Sequence, residues 1–407
     1  MAYVPRLVDP QLRSLLAALP AVMLVGPRAC GKTTSAARLV ASTVRLDRPY
    51  DAAAFQRDPD AALARFPEPL LIDEWQEVPD VLGAVKRAVD VDFRPNRFIL
   101  TGSVSSDLHT PSWPGTGRIT RVRMSEMTQA EEAQGDNRLF IDRLAAADFG
   151  SLPFLELSLE DYLERALRGG FPEPMLNLPP FAAAAWYEGY VDQLLSRDAR
   201  NISRLDPARL RGYLEALATQ TAGVVDQQTL IDAVGINRKS AVAYENLLEA
   251  LFVLEKIPAW SSNRLTPLSR LPKRVLTDAA LLRPLLRITP EKVADDSALL
   301  GRTIETFVAT QLRAELGVSP AHPRLFHLRD RNGRREIDFI VEYGPLQVAA
   351  IEVKANVAPD EADARHLAWF RDQIGERFTC GVVMHTGPAV YPLGEKIWAV
   401  PIAAMWV

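Results

Sequence analysis

The octapeptide Gly26-Pro27-Arg28-Ala29-Cys30-Gly31-Lys32-Thr33 constrains this chain more than any other stretch. It reads G-x-x-x-x-G-K-T, the spacing of a loop wrapped round phosphate groups. Before it runs Ala21-Val22-Met23-Leu24-Val25, a short apolar stretch that suits a buried parallel strand; after it, Thr34 to Ala41 reads as a helix. Strand, loop and helix in that order are the context the motif requires. Gly26 and Gly31 let the backbone curl so that its N–H groups face an anion, and the start of the helix adds its positive dipole end. Pro27, Arg28, Ala29, Cys30 and Thr34 complete the expected lining. Lys32 would reach the β- and γ-phosphates of ATP, and the Thr33 hydroxyl would hold Mg²⁺.

The rest of the chain has to accommodate that loop. Its 407 residues exceed one ordinary core, so two or three domains are expected. A hydrophobic fraction of 48% and a charged fraction of 24% are those of a soluble globular protein. With a net charge of −4 there is no global positive field, so any nucleic-acid contact must come from local patches. Cys30 and Cys380 are too few for a disulfide framework, and a bridge at Cys30 would obstruct the loop. A reducing cytoplasm fits them. The amino terminus shows no basic stretch followed by an unbroken apolar core. The apolar run from Leu15 to Val25 is broken by Pro20 and too short to span a bilayer, so no membrane partner is expected.

Downstream, Thr43 to Asp47 reads as a second strand and Ala52 to Phe66 as one helix closed by Pro67. Leu70-Leu71-Ile72-Asp73-Glu74-Trp75-Gln76 is an apolar run ending in two acids, the natural partner of a phosphate loop. Asp73 would hold Mg²⁺ through water, and Glu74 would polarise the attacking water. Val81 to Val89 reads as a helix. Arg97 to Ser103 reads as a strand whose Thr101 or Ser103 would sense the γ-phosphate, although a Gly-Ser turn closing a strand explains it nearly as well. Arg118 is a candidate finger for a neighbouring subunit's γ-phosphate, which would make the protein a homo-oligomer; a plain surface arginine is the alternative.

The succession GPRACGKT, LLIDEWQ, FILTGS and GRI resembles an AAA-type family of bacterial and archaeal ATP-binding proteins. Members carry a C-terminal domain of formerly unknown function with a nuclease-like core. The turn Gly169-Gly170-Phe171-Pro172 and the segment Lys273 to Leu281, a strand ending in Asp278 and small residues, resemble the family as well. Met127 to Glu131 departs from it.

Between these blocks, Ala133 to Asp148 reads as a linker and Trp186 to Leu195 as a long helix. Thr229 to Ser240 has helix-turn-helix character: a helix, a Gly-Ile turn, an Asn237 cap and a second helix from Arg238 to Leu251. Arg238, Lys239 and Tyr244 would face DNA, and Leu251 to Ile257 and Arg274 to Thr277 would form wing strands. Such modules also serve as protein-docking elements.

In the last third, Arg335 to Val341 and Ala349 to Lys354 form an expected hairpin across Gly344-Pro345. Asp338, then Glu352-Val353-Lys354 on the adjacent strand, resembles the PD-(D/E)xK nuclease core. Period-2 alternation puts Glu352 and Lys354 on one face, and pairing can bring Asp338 beside them. Asp338 and Glu352, with Glu305 from a helix, could hold Mg²⁺ or Mn²⁺, and Lys354 could orient water. Arg329, Arg331, Arg334 and Arg335 could carry a phosphate backbone. The alternative is a charge cluster that Lys354 alone satisfies.

The expectation is therefore an α/β protein in three parts. A P-loop AAA-type domain with a parallel sheet occupies 1–132, a helical and winged-helix-like connector 133–270, and a restriction-endonuclease-like α/β domain 271–407. The expected function is a Mg²⁺-dependent ATPase acting on DNA; the alternative is a regulatory or assembly ATPase whose nuclease-like domain is a silent docking scaffold.

Overall fold

A computed structural model describes residues 3–102, 115–135, 138–150, 152–154, 156–198, 206–261, 271–330 and 334–407. They fall into two compact units, one of 1–127 with 247–253, the other of 128–246 with 254–407. The segments expected as connector and as C-terminal domain thus lie mainly in the second unit.

The first unit is built on a five-stranded sheet: β1 (Ala21–Val25), β2 (Ser42–Arg45), β3 (Leu70–Asp73), β4 (Phe98–Gly102) and β5 (Thr120–Arg123), in the order β2-β3-β4-β1-β5. Each neighbouring pair is parallel. The central strands are apolar on both faces because helices cover both, and β3 and β4 are buried throughout. Their side chains join those of the helix Val81–Val91 in one core that includes Trp75, Phe55 and Leu82.

Two helices differ from expectation. The stretch read as one helix from Ala52 to Phe66 is two, Pro49–Arg57 and Pro59–Leu63. Pro59 cannot donate a backbone hydrogen bond and forces the residue before it out of the helical region. Asp58 is accordingly extended (φ −154°, ψ 92°), and its carboxylate caps the second helix through Ala61 N–H at 3.0 Å. The helix after the phosphate loop spans only Lys32–Ala37.

In the second unit, the helix Pro207–Thr219 is followed by the helix pair Gln227–Val234 and Arg238–Ala250, the latter belonging to this unit as far as residue 246. Gly235 ends the first of the pair at φ 66°, and Asn237 Oδ1 caps the second through Ser240 N–H at 2.8 Å. An antiparallel pair follows, β6 (Leu254–Ile257) with β7 (Lys273–Leu276). Tyr244, expected to face DNA, is instead buried with its ring 5.8 Å from that of Tyr213. The segment read as a linker contains a helix, Phe140–Ala146.

The Gly169-Gly170 turn and the Asp278 segment, 108 residues apart, meet. The Asp278 carboxylate accepts from Gly170 N–H at 2.9 Å and Tyr187 O–H at 3.0 Å. A Cβ on Gly169 would lie 2.0 Å from the Tyr187 oxygen, so only glycine fits there.

The remaining strands form a six-stranded sheet: β8 (Arg324–Arg329), β9 (Glu336–Glu342), β10 (Val348–Val353), β11 (Phe378–His385), β12 (Tyr391–Gly394) and β13 (Ile397–Pro401). The order is β12-β13-β11-β10-β9-β8. β8, β9 and β10 are antiparallel, and β10, β11 and β13 parallel. Ile397–Pro401 is internal because the β12 hairpin covers it. Among the described residues, no helix is long and apolar enough to cross a membrane.

Candidate active site

Parallel strands deliver their carboxyl ends to the same edge of a sheet, and in open α/β sheets that edge is where ligands bind. β1 ends in the phosphate loop, β3 in Asp73-Glu74, and β4 in Thr101-Gly102. The register sets Thr101 beside both Leu24 of β1 and Asp73 of β3, so three separate motifs converge.

The loop is held from below. A Cβ on Gly26 would lie 2.0 Å from the Met124 carbonyl oxygen, which excludes any other residue. Gly31 at φ 99° and Ala29 at φ 60° turn the chain through the left-handed region. Arg6, which lies outside any motif, donates to Cys30 O at 2.6 Å and to Ser125 O at 2.8 Å. Being buried, it ties the loop to the chain that leaves β5. Cys30 is buried, and burial raises its thiol pKa, so it behaves as an inert wall. Pro27, Arg28 and Thr34 belong to the same turn and helix start.

Lys32 is buried, and its ammonium donates to Gly26 O at 3.0 Å and Pro27 O at 2.6 Å, which fixes it at the loop. The Thr33 hydroxyl donates to Asp73 Oδ1 at 2.7 Å, and Thr101 donates to the same oxygen at 2.6 Å. A hydroxyl and a carboxylate in contact are the hard oxygen donors that Mg²⁺ prefers, so the pair fits that ion. Thr101 therefore touches the carboxylate beside the loop; Ser103 lies outside the described residues.

Glu74 leaves β3 at φ 55°, an unusual conformation for a residue with a side chain. Holding it costs on the order of 1–3 kcal/mol, and such strain concentrates at functional positions. Trp75 drives it: its ring is fully buried and sets the turn, while Gln76 donates to the Glu74 carboxylate.

Arg118 is not brought to the loop. Val22 faces Thr120 and Val25 faces Arg123, so Arg118, ahead of β5, lies toward the opposite edge of the sheet. There it pairs with Asp90 on the surface.

In the second unit the hairpin of β9 and β10 forms as expected, with Ile351 opposite Phe339. Asp338 and Glu352 come together, and Lys354 donates to Glu352 at 2.9 Å. The sequence reading missed Lys273. It comes from β7, is fully buried, and donates to Glu305 and, at 3.2 Å, to Asp338. Burial alone would lower its pKa, but the Glu305 and Asp338 carboxylates outweigh that and hold it protonated. Burial, then the charge of Asp338, pushes Glu352 up to about 8. No local signal marked it, because Lys273 stands directly before Arg274 and the pair reads as surface charge. The arginines expected to carry phosphate are partly engaged. Arg329 donates to Val224 O at 3.1 Å, and Arg335 lies 4.3 Å over the Trp369 ring. Arg334 is exposed, and Arg331 lies outside the described residues.

Comparison with known proteins agrees with the first unit. Residues 19–132 match the family described as AAA domain. The match supports an AAA-type, ATP-binding class for that unit. Residues 159–292 and 300–405 match two further families, each described as a domain of unknown function (DUF8612 and DUF4143), which assign them no chemistry. Over 398 residues the chain is 28% identical to the uncharacterized protein Rv2008c of Mycobacterium tuberculosis, covering 96% of this chain and 82% of that one. The uncharacterized protein Mb2031c of Mycobacterium bovis matches to the same extent. Among solved structures, the Walker-type ATPase paby2304 of Pyrococcus abyssi aligns at a TM-score of 0.42 and 15% identity, over 69% of this chain and 94% of that one. Protein VC1899 from Vibrio cholerae aligns at 0.20 and 11%, over 98% and 92%.

Proposed function

We propose that the first unit binds and hydrolyses ATP with Mg²⁺ at the phosphate loop. The observation that carries this is the Asp73 carboxylate, in contact with Thr33 of the loop and with Thr101 at 2.7 and 2.6 Å. Gly26, Gly31 and the backbone between them would cradle the phosphates, with Lys32 against the β- and γ-oxygens. Thr33 and Asp73 would hold the Mg²⁺, which when bound neutralises charge on the phosphates. Glu74, poised by Gln76, would take the proton of the attacking water. Lys32→Ala is expected to weaken binding of a fluorescent ATP analogue at least tenfold in titration, with circular dichroism unchanged. Wild-type affinity in the variant would reject the site.

The protein acts as a homo-oligomer, with Arg118 reaching a neighbour's γ-phosphate. Arg118 cannot serve its own loop from the far edge, and its pair with Asp90 is exposed, screened by solvent and easily given up. Val91 and Phe93, immediately after Asp90, are 89% and 61% exposed. Apolar side chains left out in this way suit a subunit contact. Mixing Arg118→Ala with Glu74→Gln subunits should restore part of the turnover that each lacks alone. An active monomer in light scattering would sink this arrangement.

DNA is the second ligand. Arg238 and Lys239 are exposed at the start of the second helix of the helix-turn-helix pair, where recognition helices meet the groove. Arg238→Glu with Lys239→Glu should lower affinity for duplex DNA and reduce the slope of log affinity against log salt by about 1 to 2. ATP turnover that ignores DNA, together with no DNA binding at low salt, would favour a regulatory or assembly ATPase instead.

A further inference from the structure

The resemblance to a nuclease core implies a divalent cation on Asp338, Glu352 and Glu305, and the donor set does not fit one. The Lys273 ammonium already bonds Glu305 and lies 3.2 Å from Asp338 Oδ1. The other Asp338 oxygen accepts Val353 N–H at 2.9 Å, and one Glu352 oxygen accepts Lys354 at 2.9 Å. Within the cluster, Glu352 Oε2 is buried without a hydrogen-bond partner among the described residues. Mg²⁺ or Mn²⁺ demands near-octahedral oxygen ligation at about 2.0–2.2 Å. An ion bound to Asp338 at that distance would sit within a few ångströms of a buried ammonium, and two cations repel strongly where water does not screen them.

Lys273 is not a side chain that has merely fallen into the cluster. It projects from β7, whose four residues are all buried, and its ammonium lies 5.2 Å over the Phe339 ring, next in sequence to Asp338. It therefore has a fixed place between the helix Ser297–Leu316, which carries Glu305, and β9, which carries Asp338.

We propose that Lys273 is a built-in cation that masks this cluster: the second unit keeps the carboxylates of a divalent-metal site but fills it with its own ammonium, and takes up metal only when that ammonium is removed. An ammonium neutralises carboxylates without generating a metal-bound hydroxide, so the masked cluster joins β7, the helix and β9 as a structural centre rather than cutting a phosphodiester.

The test is Mn²⁺ binding to the full chain, read from the loss of the free-ion electron paramagnetic resonance signal. A Thr33→Ala background keeps the phosphate loop from contributing. With Lys273 in place, no Mn²⁺ should bind below millimolar concentration. Lys273→Met paired with Glu305→Gln leaves the net charge unchanged and should tighten binding at least tenfold; adding Asp338→Asn should abolish the gain. Two results overturn the proposal: Mn²⁺ binding by the Lys273 chain that disappears in Asp338→Asn, or a folded double variant that gains none. Should the double variant not fold, Lys273→Gln, which keeps Glu305, takes its place in the same titration: Asp338-dependent Mn²⁺ uptake by that variant upholds the masking, and no uptake refutes it.

Discussion

Replacing Glu74 by Gln is expected to leave ATP binding intact while slowing turnover at least about a hundredfold. The substitution keeps the size of the side chain and removes only the oxygen that can accept a proton. The neighbourhood argues that this oxygen matters. Glu74 is held at φ 55° by a turn whose next residue, Trp75, is locked in the core, and Gln76 bonds the carboxylate from the other side. A residue that only decorated the surface would relax to an ordinary backbone. Binding should survive because Lys32, Thr33 and Asp73 are untouched. Single-turnover hydrolysis beside equilibrium binding separates the two effects: a variant that turns over normally would move the base elsewhere, and one that fails to bind would give Glu74 a structural role.

What was legible in the sequence follows from how far apart the interacting groups lie. The loop, Asp73-Glu74 and the Thr101 strand are each read within a few residues, and a parallel sheet assembles their ends without further information. The hairpin that joins Asp338 to Glu352 is local for the same reason. Arg118 could not be placed, because its edge of the sheet depends on the register of β5 against β1, which no local pattern announces. Lys273 and Asp338 are 65 residues apart, and a lysine before an arginine reads as surface charge until the fold buries it. Arg6 reaches a carbonyl 24 residues away and another 119 away, contacts that leave no mark on composition or period. The break at Asp58-Pro59 was readable, since proline dictates it, and the helical pattern on either side concealed it.

Glu245 is the clearest case of a residue hidden from the sequence, and its removal should be the most damaging single change in the second unit. It sits on the helix Arg238–Ala250 in a run that reads as an amphipathic surface. In the fold it is buried and accepts from Tyr213 O–H at 2.8 Å, Arg274 Nε at 2.9 Å and Lys256 Nζ at 2.9 Å. Burial alone would raise its pKa, but Lys256 and Arg274 more than offset that, and it is lowered overall. Arg274 is itself buried and also donates to Val225 O at 2.9 Å. Glu245 thus clamps the antiparallel pair β6–β7 to the helix-turn-helix pair. Glu245→Ala strands a buried guanidinium, and breaking a buried pair from one side costs about 3–5 kcal/mol. Glu245→Gln keeps an acceptor for Tyr213 and should cost clearly less. Because the folded pKa lies below the unfolded one, the clamp contributes fully above the unfolded carboxylate value near 4.5 and is lost as pH falls through the folded one. Urea unfolding of the two variants at neutral pH and in acid checks both statements. The gap between wild type and Glu245→Ala should narrow in acid, and a gap that is absent at neutral pH would show that the clamp does not hold the unit together.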